Sequence, residues 1–291
     1  MMKKSMGLKI FGAANHTFLF LIALMMFLPF VIILAVSFSS ETAVMVHGYG
    51  VFPREFSLDA YDFVFKAGTM GKGYLVSSFV TIVGTVLAVS ITAMAAYAIS
   101  RRYLKYRNFF ALAFYFTMIF NGGLVPWYII VAKLGMRNTI WSLIFPMCFN
   151  PFNMLLMRNF FQTLPDSLAE SAKLDGAGEW RVFREVMLPI SLPGMATITL
   201  FYMLGYWNDW WLALNFIDNE ALFPLQFLLR KILSNIAFAA SGMNTTFNLA
   251  AIPQETVKMA TCVVTIGPII LVYPFIQRYF IKGITVGAVK G

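Results

Sequence analysis

The chain has 291 residues, 59% of them hydrophobic and 12% charged, with a net charge of +9 and a mean hydropathy of +0.74. A water-soluble domain carries about 25% charged residues. Water is therefore excluded as the solvent for most of this surface, and a bilayer can replace it if the apolar residues come in runs of about 20. The positive charge does not point to nucleic acid, because the basic residues sit in short segments between apolar runs and leave no basic face elsewhere.

Residues 1–16 hold Lys3, Lys4 and Lys9 and no acid. The apolar run after them is too long for the core of a signal peptide and has no A-x-A site beyond it. It predicts a retained first span over 17–38, kinked at Pro29. Residues 39–73 are polar and mixed in charge. The second span, 74–99, is rich in Ser, Thr, Gly and Ala, which let helix backbones approach closely inside a membrane bundle. The loop 100–108 carries Arg101, Arg102, Lys105 and Arg107 without an acid.

The third span, 109–131, meets Asn121-Gly122-Gly123 and Pro126. These predict a break, with irregular backbone to about Asn138, which at such depth needs protein or a water-filled cavity beside it. The fourth span, 139–157, is interrupted by Pro146 and Pro151. Residues 158–193 form the longest polar stretch with helical character. The fifth span covers 194–216. Residues 217–252 form a second long loop, in which Leu225–Ile236 predicts a helix lying on the membrane surface. The sixth span covers 257–281, and 282–291 is a tail.

Six spans put both termini on one side. With the N-terminus inside, 14 of the 22 basic residues fall on inner segments and eight on outer ones. The positive-inside rule therefore predicts cytoplasmic termini, with 158–193 in the cytoplasm and 39–73 and 217–252 outside. The expected fold is all-α, a polytopic inner-membrane protein of six transmembrane helices without a soluble domain.

Little in the sequence suggests covalent chemistry. Cys148 and Cys262 lie inside apolar runs and read as small buried hydrophobes. His16 and His47 have no partner at ligand spacing, so neither a metal site nor a catalytic group is expected. A secondary transporter would need ionisable groups within the spans and repeated halves, but only Asp209 lies clearly within a span and no repeat is visible.

The most informative stretch is LPDSLAESAKLDGAGEWRVFREVMLPISLPG within 158–193. Ser167 and Glu170 have capping-box spacing, which predicts a helix starting at Ser167. Leu168, Ala169, Ala172 and Leu174 give it an apolar side with small residues. Asp175-Gly176 predicts its end, Gly by accepting a left-handed turn and Asp by capping the next helix. That second helix, 178–187, is expected to stop at Leu188-Pro189. A small-faced helix of the first kind, held out from the membrane, can plug into a groove on another protein.

Glu170-Ser171-Ala172, three residues, Gly176, nine residues and Val186-x-Leu188-Pro189 resemble the EAA loop of ABC importer permeases, E-A-A-x3-G-x9-I-x-L-P. Ser171 and Val186 depart from it conservatively. The rest of the chain resembles the carbohydrate branch, the MalG-like permeases, and within it the LplC/YtcP-type subunits. The similar stretches are NGGLVPWYIIVAKLG at 121–135, GYWNDWW at 205–211, YPFI at 273–276 and RYFIKGITVGAVKG at 278–291.

The resemblance implies the type I importer (MetI-like) fold and a non-catalytic subunit that forms half of a sugar pathway. It implies four kinds of partner: a second homologous permease, two cytoplasmic ABC ATPase subunits, an extracytoplasmic sugar-binding protein and the sugar or oligosaccharide itself. No G-x-x-x-x-G-K-[ST] is present, since GTMGKG at 68–73 has the wrong spacing. ATP and Mg are therefore expected on the ATPase subunits and no cofactor on this chain. By resemblance Glu170, Ser171, Ala172, Asp175, Gly176, Leu188 and Pro189 couple to the ATPase. A permease for a non-sugar solute would share the same loop and is the main alternative.

For the solute pathway the candidates are Tyr202, Tyr206, Trp207, Asn208, Asp209 and Trp211 in the fifth span, with Asn150 and Asn153 in the fourth. Aromatic rings offer flat apolar faces to pyranose C–H edges, and Asn and Asp supply hydrogen bonds to hydroxyls. An interfacial aromatic belt explains the tryptophans equally well. An acid such as Asp209 is costly in hydrocarbon and is expected to face the pathway, a partner or outer water.

Overall fold

The computed structural model describes residues 6–66, 69–240 and 254–266. Among these residues every named element is helical, and the one strand-like contact is an isolated bridge between Ser39 and Phe56. They divide into two compact units, one from residues 6–66, 231–240 and 254–266 and one from 69–230.

In the first unit, α1 (Met6–Ser37) contains 27 residues, Phe11–Ser37, apolar enough to cross a bilayer. At about 1.5 Å per residue such a helix outspans a hydrocarbon core of about 30 Å. Phe18, Phe20, Met25, Met26 and Phe27 are all exposed, as on a helix that is apolar all round and meets lipid or another chain. Pro29 lies within α1 without ending it. In α2 (Glu41–His47) the N-cap is Ser40, whose Oγ accepts the Ala43 N–H at 3.2 Å. A short α3 (Asp59–Lys66) comes next. The Glu41 carboxylate accepts the N–H groups of Glu255 and Thr256, each at 2.9 Å, and so caps the helix over residues 254–266. Residues 267–281 of the expected sixth span lie outside the described residues.

The second unit comprises α4 (Thr69–Ser100), α5 (Arg107–Ile119), α6 (Leu124–Lys133), α7 (Pro151–Thr163), α8 (Asp166–Leu174), α9 (Glu179–Ile190), α10 (Leu192–Asn208) and α11 (Trp211–Phe216). It ends in the first turns of α12 (Leu225–Ala240). The long helix α4 packs mainly on α10 and α7. Its small residues permit this: a Cβ on Gly84 would come within 2.6 Å of the Tyr206 ring. The Leu225 N–H donates to Ser77 Oγ at 2.8 Å, which fixes the start of α12 against α4.

By length and composition α1 and α4 can cross a membrane alone, and bent helix pairs bring the possible crossings to five among the described residues. Each bend has a local cause. Between α5 and α6 the axis turns by 112°, where Gly123 takes φ +88° and donates its N–H to Asn121 Oδ1 at 2.9 Å. The break expected there exists, but the irregular segment to about Asn138 does not, because α6 is regular. Pro126 sits in its first turn, where the missing N–H costs nothing.

The fourth span opens as two 3-10 turns, Ile140–Leu143 and Phe145–Met147, before α7, bent by 48°. Pro151 starts α7 rather than interrupting it, and Asn150 Oδ1 accepts the N–H groups of Phe152 and Asn153 at 2.9 and 3.3 Å. The helix runs six residues past the expected limit at Met157, to Thr163.

Candidate functional site

The stretch 158–193 folds as two arms on a shared core. Ala93, Ala96 and Tyr97 of α4, Met154, Met157 and Phe161 of α7, Ala169 of α8, Val182, Phe183 and Met187 of α9 and Ile198 of α10 are all buried in one cluster. The stretch 158–193 is thus part of the core on which the long helices pack.

The helix α8 starts at Asp166, one residue earlier than expected, with Pro165 at its N-cap and no side-chain cap. The Ser167–Glu170 capping box is therefore not formed. Pro165 with ψ 130° is extended and aims the chain into the helix, and Asp166 supplies negative charge to the first turn. Only Ala169 is buried and Ala172 half-buried, whereas Leu168 is exposed and Leu174 is 88% exposed. Small residues face the core, and Glu170, Ser171 and Leu174 form the free surface.

Gly176 takes φ +83° and ends α8 as expected. The Ala177 N–H returns to the Ala172 carbonyl at 2.9 Å and the Gly176 N–H to Lys173 at 3.0 Å. A Cβ at Gly176 would meet nothing within 4 Å, so within this chain the backbone angle, not crowding, calls for glycine. Asp175 terminates α8 but does not cap α9, whose N-cap is Gly178.

The second arm is α-helical over Glu179–Arg181, widens to a π-helix over Val182–Met187 and closes at Leu188–Ile190. The widening has a cause in Pro189. Its nitrogen has no proton to give, and in a regular helix its ring would collide with the carbonyl four residues back. The expected stop at Leu188-Pro189 is thereby deferred to Ser191, where α9 and α10 meet at 83°. Leu188 is packed against the buried cluster, while Pro189 is exposed.

A polar group that the sequence reading missed lies where the two arms meet. The Glu179 carboxylate pairs with the Lys173 ammonium and accepts the Tyr97 hydroxyl at 3.0 Å, and the Tyr103 hydroxyl stands beside it. Burial works against this carboxylate, but the donors from Lys173, Tyr103 and Tyr97 outweigh it and hold its pKa below the usual carboxylate range. Tyr103 is pushed up by burial and by the Glu179 carboxylate beside it. The Lys173 Nζ also stands 4.3 Å from the Tyr103 ring centre, and the Arg101 guanidinium 4.4 Å from that of Tyr97. Lys173 and Glu179 were legible only as opposite charges six residues apart. Nothing in the sequence linked them to Tyr97 before the basic loop and Tyr103 within it.

The pathway candidates separate into distinct settings. A cleft of about 380 Å³ is lined by Asn150, Asn153, Tyr202, Phe149, Phe201 and Gly205, among others. Tyr202 is otherwise buried; its hydroxyl lies 2.6 Å from Thr92 Oγ and accepts the Asn150 N–H at 2.9 Å. Tyr206 is buried against Gly84 and donates to the Ile144 carbonyl at 2.9 Å. Trp207 is buried too. Asp209 interrupts the fifth span after α10, and its Oδ2 accepts the Leu212 N–H at 3.1 Å, so the acid is satisfied by the start of α11.

Asn208 and Trp211 are exposed. The Asn208 amide donates to the Leu204 carbonyl at 2.9 Å and accepts from Gln226 at 3.2 Å. Trp210, half-buried, carries the Arg230 guanidinium 3.6 Å from its ring centre. Among the described residues no group of three or more His, Cys, Asp or Glu could hold a metal ion.

Residues 106–286 match the family described as the binding-protein-dependent transport system inner membrane component. The chain is similar to Protein LplC of Bacillus subtilis (strain 168), 41% identical over 283 residues that cover 97% of this chain and 96% of the relative. It is also similar to the polygalacturonan/rhamnogalacturonan transport system permease protein YtcP of the same organism, 40% identical with 97% and 99% covered. Among solved structures it is similar to a chain in the crystal structure of a bacterial ABC transporter involved in the import of the acidic polysaccharide alginate. The TM-score is 0.82 at 30% identity, over 96% of this chain and 100% of that one. The family match spans α5 through the two arms and α10, so the chain belongs to the inner membrane components of binding-protein-dependent transport systems.

Proposed function

We propose that this chain is one of two permease subunits of an ATP-driven importer and forms half of the path of a sugar or oligosaccharide across the bacterial inner membrane. The observation that carries this reading is α8: a short helix that presents Glu170, Ser171 and Leu174 outward while Ala169 and Ala172 join the core of the long helices. A push on that surface reaches α4, α7 and α10 as packed bodies, which is what coupling between nucleotide and transport requires. The names of the relatives, which concern polygalacturonan, rhamnogalacturonan and alginate, support a saccharide as the cargo.

On this reading six spans cross the membrane, with both termini and the 158–193 loop in the cytoplasm, in line with 14 of 22 basic residues on inner segments. Two ATPase subunits bind ATP and Mg, and this chain performs no covalent step. A second permease completes the channel, and an extracytoplasmic binding protein delivers the cargo. Glu170, Ser171, Ala172, Asp175, Gly176, Leu188 and Pro189 form or brace the contact with the ATPase. Asn150 and Asn153 in the cleft and the exposed Asn208 and Trp211 line the path, while Tyr202, Tyr206, Trp207 and Asp209 fix the helices that frame it.

The test is reconstitution of the whole importer in proteoliposomes, with and without Glu170→Lys. The unmodified complex should take up oligosaccharide and hydrolyse ATP in response to loaded binding protein. The Glu170→Lys complex should insert normally yet fail to transport. Normal uptake by that variant removes α8 from coupling.

A further inference from the structure

The polar group between the arms does more than fill space. Glu179 opens α9, Lys173 closes α8, Tyr97 stands near the end of α4 and Tyr103 lies in the loop after it. One carboxylate therefore takes donors from α8 and α4, and the Lys173 ammonium it holds also lies 4.3 Å from the Tyr103 ring centre. The Tyr97 ring is itself gripped, 5.9 Å from Phe161 of α7 and 5.0 Å from Phe183 of α9. A second tie runs from Arg102 to Asp166, Nε to Oδ2 3.2 Å, at the other end of α8. That pair is exposed and holds little alone, but it fixes the same loop to the same helix.

Resting on the function proposed above, we infer that Glu179 is a positioning residue for coupling: it joins α8 to α4 and to the loop 101–103, so that the loop belongs to the transmission. Ala169 and Ala172 attach α8 to the core by small apolar contacts that permit sliding. Hydrogen bonds to one carboxylate are directional and do not. Without them α8 can still bind the ATPase, but its displacement is absorbed locally instead of moving α4. The lost quantity is transport per ATP, not assembly or hydrolysis.

The experiment measures oligosaccharide uptake and ATP hydrolysis in parallel on the reconstituted importer. Glu179→Gln keeps size and removes the charge that orders the donors. The ATP consumed per molecule transported should rise about tenfold, as expected for losing a charge-assisted hydrogen-bond network. Tyr97→Phe keeps the packed ring and removes one donor, and should raise the ratio about two- to threefold. Glu179→Asp should fall between wild type and Glu179→Gln. An unchanged ratio in both Glu179→Gln and Tyr97→Phe overturns the inference. So does loss of the ATPase subunits from the purified Glu179→Gln complex, which assigns the carboxylate to docking. Failure of the underlying function reading looks different, because Glu170→Lys would then transport normally whatever the state of Glu179.

Discussion

The loop 158–193 and the aromatic segment 202–211 lie on either side of the same bend, and they use polar groups in opposite ways. In the loop the charged side chains Glu170, Lys173 and Glu179 stay at the surface while Ala169, Val182, Phe183 and Met187 attach it to the core. In the segment the conspicuous polar and aromatic groups turn inward: Tyr202 bonds Thr92 and the Asn150 backbone, Tyr206 bonds Ile144, and Asp209 caps α11. The lesson is that a cluster rich in Tyr, Trp, Asn and Asp inside a membrane span is first a device for holding broken helices together. What remains open is the exposed pair Asn208 and Trp211 and the cleft lined by Asn150, Asn153 and Tyr202.

The largest effect that sharpens this contrast is at Leu174. Its side chain is 88% exposed, so Leu174→Glu should shift folding stability by no more than about 0.5 kcal/mol. The same change should strip the ATPase subunits from the purified complex, read by copurification. In the opposite sense, Gly84→Ala drives a methyl into the Tyr206 ring and should cost about 1–3 kcal/mol, seen as a lower melting temperature in detergent.

A smaller contrast lies within the segment itself. Tyr206→Phe removes one of the donors to the Ile144 carbonyl, which keeps the Met147 N–H, and should cost about 1 kcal/mol of stability with uptake kinetics unchanged. Asn208→Ala should do the reverse, impairing uptake with little change in melting. Interchanged results would reverse the assignment of inner and outer members.

The smallest effect is the response to pH. Glu179 has a folded pKa below its unfolded one, so its contribution is complete above an unfolded value of about 4.3 and is lost as pH falls through the folded value. The groups facing it are Lys173, Tyr97, Tyr103 and Arg101, and burial keeps the proton on Tyr103 throughout that range. Transport per ATP should therefore stay level between pH 8 and pH 5, checked by paired assays at each pH. A decline across that interval would show that the carboxylate is not held ionised as the geometry implies.

How legible each region was depends on the range of its contacts. The end of α8 at Gly176 and the spacing to Leu188-Pro189 are local matters of backbone angle and helical turns, and the residues display them. The bend at Asn121–Gly123 was readable for the same reason. Pro126 and Pro189 misled as stop signals, because a proline in a first turn or behind a π-turn does not end a helix. The seat of Glu179 was invisible, since Tyr97 lies 82 residues away in sequence. The role of Tyr202 was hidden likewise, its partner Thr92 being 110 residues distant. Polar partners brought together only by helix packing leave no periodicity to find.

The wide turn at Val182–Met187 makes chain length a functional quantity in the second arm. A π-turn encloses one residue more than the α-turn it replaces, so deleting one residue there would let the turn tighten while Glu179 and Trp180 keep their present direction. Adding one has no such slack to draw on, and since a regular helix advances about 100° per residue it would swing both side chains about a quarter of the way round the axis. The lever would then point the wrong way, which makes tolerance to one deletion and intolerance to one insertion the signature of this arm.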